Sequence, residues 1–265
     1  MPYAYVRAYR ATPSAPPLKP MRRLLPVILL VLLVASLALN GYLFQQARMY
    51  YLLLNSTRLD PLGLGAFADE APPPQHPGQR VVVFFGDSRA AEWPAPDVPE
   101  DIIVVNRGIG AQTTTQVAGR FARHVAPLRP DTLIVQVGIN DLKTIPLFPE
   151  YRETIIRNCK ANLQTIVNLA LETGVREVIL TTVFLPGPLP LERRLLWGDA
   201  VTVAVNEVNA YLRSLAGDRV MVFDAARILS EGSGGTLARY SRDYLHLNAD
   251  GYAALNRELG PMLRR

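Results

Sequence analysis

Beyond residue 80 the chain alternates short, continuous apolar runs with longer amphipathic stretches. The apolar runs are rich in β-branched residues and lie at residues 81–85, 102–105, 132–137, 177–182 and 220–223. Apolar residues fill successive positions in them rather than every second one, which predicts strands buried on both faces, as in a parallel sheet.

The stretches between these runs have the spacing of amphipathic helices. The clearest is residues 150–173, where apolar residues recur at helical spacing and Gly174 follows. Alternating strands and helices predict a three-layer α/β/α sandwich with a parallel sheet of about five strands, in a domain over residues 80–265. The predicted helices are residues 113–125, 150–173, 199–215 and 250–259.

An apolar segment without charged side chains precedes this domain at residues 24–47. A helix of roughly 20 apolar residues can cross a hydrocarbon core of about 30 Å, so we predict one transmembrane helix or signal anchor here. Basic residues lie on its amino-terminal side, which places the N-terminus in the cytoplasm and the domain on the extracytoplasmic side. A cleaved signal peptide, with small residues at 36–38, and a buried helix of a soluble protein are the alternatives.

The flanks of this segment differ from it in composition. Residues 1–23 are rich in Pro and Ala and predict a disordered cytoplasmic tail. Residues 48–79 predict a stalk that ends in a Pro-rich linker.

Charge and cysteine content narrow the function classes. The net charge of +5 comes from basic residues before position 24, and the rest of the chain is balanced, so no basic domain supports nucleic-acid binding. Cys159 is the sole cysteine, which excludes an intramolecular disulfide. It has no His or Cys neighbours at zinc-binding spacing, so we predict no metal site.

Four short strings carry residues suited to acyl transfer. They are Gly86-Asp87-Ser88, Asn106-Arg107-Gly108, Gly138-Ile139-Asn140-Asp141 and Asp243-Tyr244-Leu245-His246. The first three follow predicted strands, and ligand sites of parallel sheets lie at the carboxyl ends of the strands. Together the strings offer a nucleophile, oxyanion donors, a base and a carboxylate to orient the base.

Each of these strings also has an ordinary structural interpretation. Ser88 fits a helix N-cap, and Gly108 and Asn140 fit turns after strands. His246 is the best histidine candidate for a base, because His76 lies in the linker and His124 ends a predicted helix. Its alternative is a capping histidine that follows a surface aspartate.

The order of the four strings resembles that of the SGNH hydrolases, also called GDSL-type esterases and lipases. The resemblance covers about residues 80–259, and it implies the flavodoxin-like fold of that family with no metal or organic cofactor. One departure is Gly108-Ile109-Gly110, where many members carry a Ser-Gly pair. The roles it implies are nucleophile for Ser88, base for His246, orienting carboxylate for Asp243, oxyanion donors for the Ser88 N–H, the Gly108 N–H and the Asn140 amide, and structural roles for Asp87 and Asp141.

The resemblance implies a serine esterase that cleaves carboxylic esters through an acyl-serine intermediate, and the apolar segment 24–47 makes it a membrane-anchored one. The expected partners are a small acyl ester, an acylated sugar or a lipid, and the membrane through residues 24–47; oligomeric state stays open. Its expected placement favours O-acetyl groups on extracytoplasmic glycans. An acyltransferase, a lysophospholipase or lipase, and a non-catalytic binding module are the alternatives. Apolar residues 184–197 and 146–148 would line the pocket or serve as packing loops.

Overall fold

The apolar N-terminal segment is a single long helix. The computed structural model describes residues 21–71, 76–197, 199–231 and 234–265. Helix α1 (Met21–Leu59) includes the predicted span 24–47, and an 18-residue window within Leu24–Leu59 has a mean hydropathy of 2.5. By length and composition this helix could cross a membrane, and the same features fit a signal sequence. The predicted tail before residue 21 and residues 72–75 of the predicted linker lie outside the described residues.

Within the described part of the chain, five strands form one parallel sheet in the order β2-β1-β3-β4-β5. This is the flavodoxin-like order, in which the direction of winding changes between β1 and β3 and opens a ligand site at the carboxyl ends of the strands. The predicted α/β/α fold is confirmed. The strands are β1 (Arg80–Gly86), β2 (Ile102–Gly108), β3 (Thr132–Gln136), β4 (Glu177–Thr181) and β5 (Val220–Phe223).

Helices cover both faces of the sheet. Side chains of β1 alternate between the two faces. Val81, Val83 and Phe85 pack with the helices at residues 114–119, 121–124, 152–172 and 200–214, whereas Val82 and Phe84 pack with those at residues 225–230 and 249–263. The described helices after α1 are α2 (Ser88–Ala91), α3 (Thr114–Gly119), α4 (Phe121–His124), α5 (Ile139–Leu142), α6 (Arg152–Glu172), α7 (Leu191–Trp197), α8 (Ala200–Ser214), α9 (Ala225–Ser230) and α10 (Ala249–Leu263), with 3₁₀ turns at Ala126–Leu128, Pro149–Tyr151 and Ala238–Tyr240.

One predicted helix is divided. The stretch 113–125 forms α3 and α4, which meet at Arg120. The Arg120 side chain is fully buried and donates to the carbonyls of Gly86 and Arg107 at 2.8 Å each. These bonds to the sheet are long-range, so the local apolar pattern could not reveal them.

The compact unit that contains the sheet begins at Leu59, earlier than the Arg80 expected from the sequence. The physical reason is that part of the predicted stalk contacts the domain. The Gln116 side chain donates to the Pro61 carbonyl at 2.7 Å, and Arg107 forms an ion pair with Glu70 at 2.5 Å.

Candidate active site

The turn after β1 presents the Ser88 side chain. Gly86 permits this turn, because a Cβ there would lie 1.8 Å from the Gln136 carbonyl oxygen of β3. The carboxylate of Asp87 caps α2 by accepting the Arg89 N–H at 2.9 Å. Among the residues that the structure describes, the Ser88 N–H has no hydrogen-bond partner, so it is available to a ligand.

The loop before α10 brings His246 to this turn. Its Nε2 lies 3.0 Å from Ser88 Oγ, and its Nδ1 lies 2.9 Å from Asp243 Oδ2. The other carboxylate oxygen of Asp243 accepts the N–H groups of Leu245 at 2.7 Å and His246 at 2.9 Å. The structure therefore joins Ser88 to two residues that lie more than 150 positions later in the sequence. Such a Ser-His-Asp arrangement can activate a hydroxyl for attack on a carbonyl carbon.

Asn140 lies in α5, directly after β3, and its side chain is buried. Its Nδ2 donates to the Gln112 carbonyl at 3.0 Å. An amide nitrogen carries two protons, so this bond orients the group and leaves one proton for an oxyanion.

Gly108 does not offer the expected donor in this geometry. Its N–H donates to Asn106 Oδ1 at 2.8 Å, and Asn106 Nδ2 in turn donates to the Ala90 carbonyl at 2.7 Å. The loop after β2 approaches Ser88 instead. A Cβ on Gly110 of this loop would lie 4.0 Å from Ser88 Cβ. The N–H groups of Gly110 and Ala111 have no partner within the described ranges, and Ala111 has a φ of 63°.

The sequence profile of the GDSL-like lipase/acylhydrolase family matches residues 75–254. The chain belongs to this family. The match covers the sheet and all four strings that carry the candidate site.

Solved structures of acylhydrolases share the fold of this GDSL-like chain. A candidate acylhydrolase of Bacteroides fragilis is 20% identical, with a TM-score of 0.62 over 77% of this chain and 97% of that one. The acetyl xylan esterase AlAXEase is 17% identical, with a TM-score of 0.54 over 69% and 99% of the two chains. Est24, a carbohydrate acetylesterase of Sinorhizobium meliloti, is 18% identical, with a TM-score of 0.54 over 70% and 98%. No curated protein sequence matches the chain.

Arg89, which the sequence analysis did not single out, connects two parts of the site of this GDSL-like protein. It follows the serine and is almost fully buried. Its Nε donates to the Leu245 carbonyl at 2.9 Å, and its Nη1 donates to the Phe184 carbonyl at 2.7 Å. Since Leu245 lies between Asp243 and His246, Arg89 fixes the histidine loop relative to the serine turn. A charged side chain directly after Gly86-Asp87-Ser88 was the only sequence signal for it.

Burial strongly shifts the pKa values of two ionisable side chains next to Ser88. Burial raises the pKa of Asp87 to about 6, although the nearby Arg89 charge opposes the change. Burial also lowers the pKa of Arg89 to about 10, and here the Asp87 charge opposes it. Partial burial raises the pKa of Asp243, but hydrogen bonds from Leu245 and His246 outweigh it, so the net pKa lies below the ordinary value. An ionised carboxylate 2.9 Å from Nδ1 favours the tautomer of His246 in which Nδ1 carries the proton.

The two segments expected to line a pocket, residues 184–197 and 146–148, differ in how far they are buried. Phe184 and Leu185 are buried, and the Gly187 N–H donates to the Tyr244 carbonyl at 3.1 Å, so this part packs on the histidine loop. Leu147 and Phe148, in contrast, are 64% and 49% exposed. Across the described residues, no group of three or more His, Cys, Asp or Glu side chains is placed to hold a metal ion.

Replacement of Arg89 by Met should misplace the histidine loop. The variant leaves the Leu245 and Phe184 carbonyls without their donor, so we expect kcat for an acetyl ester to fall by about tenfold to a hundredfold. Steady-state kinetics on the full chain in detergent will measure this fall. Arg176→Met is a suitable control, because that side chain is 80% exposed. An Arg89→Met enzyme with unchanged kcat would contradict the positioning role.

The buried Asp87 should make stability depend on pH. Its pKa of about 6 in the folded state exceeds the ordinary 3.8, so the folded state holds the proton more tightly than the unfolded state does. Above pH 6 the buried carboxyl group is ionised, and this lowers the free energy of unfolding. Relative to Asp87→Asn, the wild type should gain about 2 kcal/mol of unfolding free energy as the pH falls from 8 to 4. Unfolding of both proteins across this range measures the gain. The Asp218→Asn variant, which changes an exposed side chain, should show the same pH dependence of the unfolding free energy as the wild type. If Asp87→Asn also showed that same pH dependence, the raised pKa of Asp87 would be contradicted.

Proposed function

We propose that the protein is a serine ester hydrolase with Ser88 as nucleophile, His246 as base and Asp243 as the carboxylate that orients the base. The alignment of Ser88 Oγ, the His246 ring and Asp243, with distances of 3.0 Å and 2.9 Å, carries this proposal. His246 Nε2 takes the hydroxyl proton as Oγ attacks the ester carbonyl, and then returns the proton to the leaving alcohol. Water repeats the sequence on the acyl-serine and releases the acid.

The negative oxygen that forms in both steps needs donors aimed into the cleft. The Ser88 N–H and the Asn140 amide supply two of them in this proposal. The third comes from the loop after β2. Gly108, the expected donor, is bound to Asn106, so we assign this role to the N–H groups of Gly110 and Ala111.

The proposed substrate is an O-acetylated glycan outside the cytoplasm. Helix α1 is preceded by basic residues, so as an anchor it would place the domain on the extracytoplasmic side, and as a cleaved signal it would release the domain there. Two proteins of the same fold are an acetyl xylan esterase and a carbohydrate acetylesterase. The burial of Phe184 and Leu185 supports a short acyl group, because these side chains are already used in packing.

Replacement of Ser88 by Ala tests the nucleophile. We expect hydrolysis of p-nitrophenyl acetate to fall at least about a thousandfold, because no hydroxyl remains to form the acyl-enzyme. A fluorophosphonate probe should label the wild type at Ser88 and leave Ser88→Ala unlabelled. Ser214→Ala removes an exposed helical hydroxyl and should behave as the wild type. Turnover by Ser88→Ala would refute the assignment, and an unlabelled, inactive wild type would favour a binding module.

A panel of esters tests the acyl group and the acceptor. We expect kcat/KM to be highest for acetyl esters and to fall about tenfold or more for octanoyl esters, because an acyl chain without an apolar pocket gains nothing from burial. Acetylated xylo-oligosaccharides should release free acetate. Preference for long chains would favour a lipase, and acetate transfer to an added sugar would favour an acyltransferase.

A further inference from the structure

A short segment between α1 and the sheet packs on the domain beside the candidate site. We call it the strap and define it as Pro61–Glu70. It lies outside the residues 75–254 that match the family. Its backbone is fixed locally, because the Asp60 carboxylate accepts the N–H groups of Leu64 at 2.8 Å and Gly65 at 2.7 Å. These bonds, led by that of Gly65, lower the pKa of Asp60.

Side chains of the strap attach it to the domain. The Phe67 ring lies 4.5 Å from the Arg107 guanidinium and meets the His124 ring edge-on at 5.3 Å. Phe67 has a φ of 62°, a left-handed conformation that is unfavourable for a residue with a Cβ. Such a conformation persists where surrounding contacts fix it, so the strap holds one defined position on the domain.

Gln112 connects the strap to the oxyanion donor. Its Nε2 donates to the Leu62 carbonyl of the strap at 2.8 Å, and its backbone carbonyl accepts the Asn140 amide at 3.0 Å. The Gln112 side chain is buried, and its Oε1 accepts from Arg120 Nε at 2.5 Å. Both ends of the side-chain amide are therefore bound, one by the strap and one by the domain.

Arg120 extends this arrangement to the serine turn. Its Nη2 donates to the carbonyl of Gly86, two residues before Ser88. If the Leu62 carbonyl moved while the strap still covered Gln112, the buried Nε2 would lose its acceptor, and a buried donor without an acceptor is costly. The Gln112 backbone would then shift, and the Asn140 amide with it.

Steric contact couples the same residues. Gly63 of the strap has a φ of 71°, and a Cβ there would lie 2.8 Å from Gln112 Nε2 and 3.2 Å from Ile109 Cδ1. Leu62 is equally close to α3, since a Cβ on Gly119 would lie 2.9 Å from Leu62 Cδ2. A small change in the strap is therefore transmitted to Gln112 directly.

We propose that the strap is a positioning element of the catalytic site, which holds the Gln112 carbonyl and through it the Asn140 amide in the geometry that stabilises the oxyanion. This rests on the function proposed above. The strap follows α1 directly in the chain and lies beyond residues 36–38, where a signal peptidase could cut. It thus stays with the domain whether the helix is an anchor or a removed signal.

The test is Gly63→Ala in the full chain, assayed in detergent with p-nitrophenyl acetate. The new methyl group displaces Gln112, so kcat should fall about tenfold or more with KM unchanged, because an oxyanion donor acts on the transition state. Gly78→Ala is the matched control. Gly78 also has a positive φ, of 90°, but nothing lies within 4 Å of its added Cβ, so kcat should stay at the wild-type value.

Gln112→Glu is a second variant that keeps the side-chain size and the acceptor for Arg120 but places an oxygen against the Leu62 carbonyl. It should lower kcat in the same way. Each change is repeated in an Asn140→Ala background, where it should cause no further fall if the strap acts through Asn140. A wild-type kcat in both single variants, or a full further fall in the Asn140→Ala background, would overturn the inference.

The proposed function fails by a different result, namely a wild-type chain without esterase activity or a Ser88→Ala variant that retains it. The two hypotheses are therefore separated by the same set of proteins. Thermal melts of each variant show whether a fall in kcat occurs in a folded protein.

Discussion

The candidate site depends on one buried guanidinium, that of Arg89, which bonds the histidine loop to the serine turn. A buried charge loses hydration, and the lowered pKa of Arg89 records that loss. The carbonyls of Leu245 and Phe184, the Phe184 ring at 3.8 Å and the Asp87 charge offset it. Because two carbonyls from distant segments converge on one rigid, planar group, the separation of Ser88 and His246 is fixed without a covalent link.

A second buried arginine, Arg120, also fixes the serine turn through hydrogen bonds to main-chain carbonyls. Arg120 bonds the carbonyls of Gly86 and Arg107 and the side chain of Gln112. Its pKa is lowered to about 9 by burial, against the opposing charge of Asp87. The two guanidinium groups bind main-chain oxygens of the strand ends and loops around the serine turn, and these buried carbonyls thereby gain charged donors. The geometry of the reacting groups therefore rests on residues that take no part in the chemistry.

The sequence was informative where a feature is local or follows from topology. Continuous apolar runs predicted the five strands, and the family resemblance placed Asp243 beside His246, where the structure has it at 2.9 Å. It was uninformative where a side chain elsewhere decides the outcome. Gly108 looked like a free donor because nothing in its own string shows that Asn106 accepts its N–H. The strap was predicted as part of a stalk, because the backbone carbonyls and single side chains that hold it leave no pattern in the sequence.

The two interpretations of Ser88, nucleophile and helix cap, are separated by its neighbour. Asp87 adopts the extended backbone of an N-cap and its carboxylate accepts the Arg89 N–H, so the cap of α2 is already provided. The serine hydroxyl is then free to bond His246, and its own N–H stays open to a ligand. A carboxylate that caps a helix is ordinarily charged and exposed to water. Here the group is buried beside the serine, and the retained charge of Arg89 is what makes that burial tolerable.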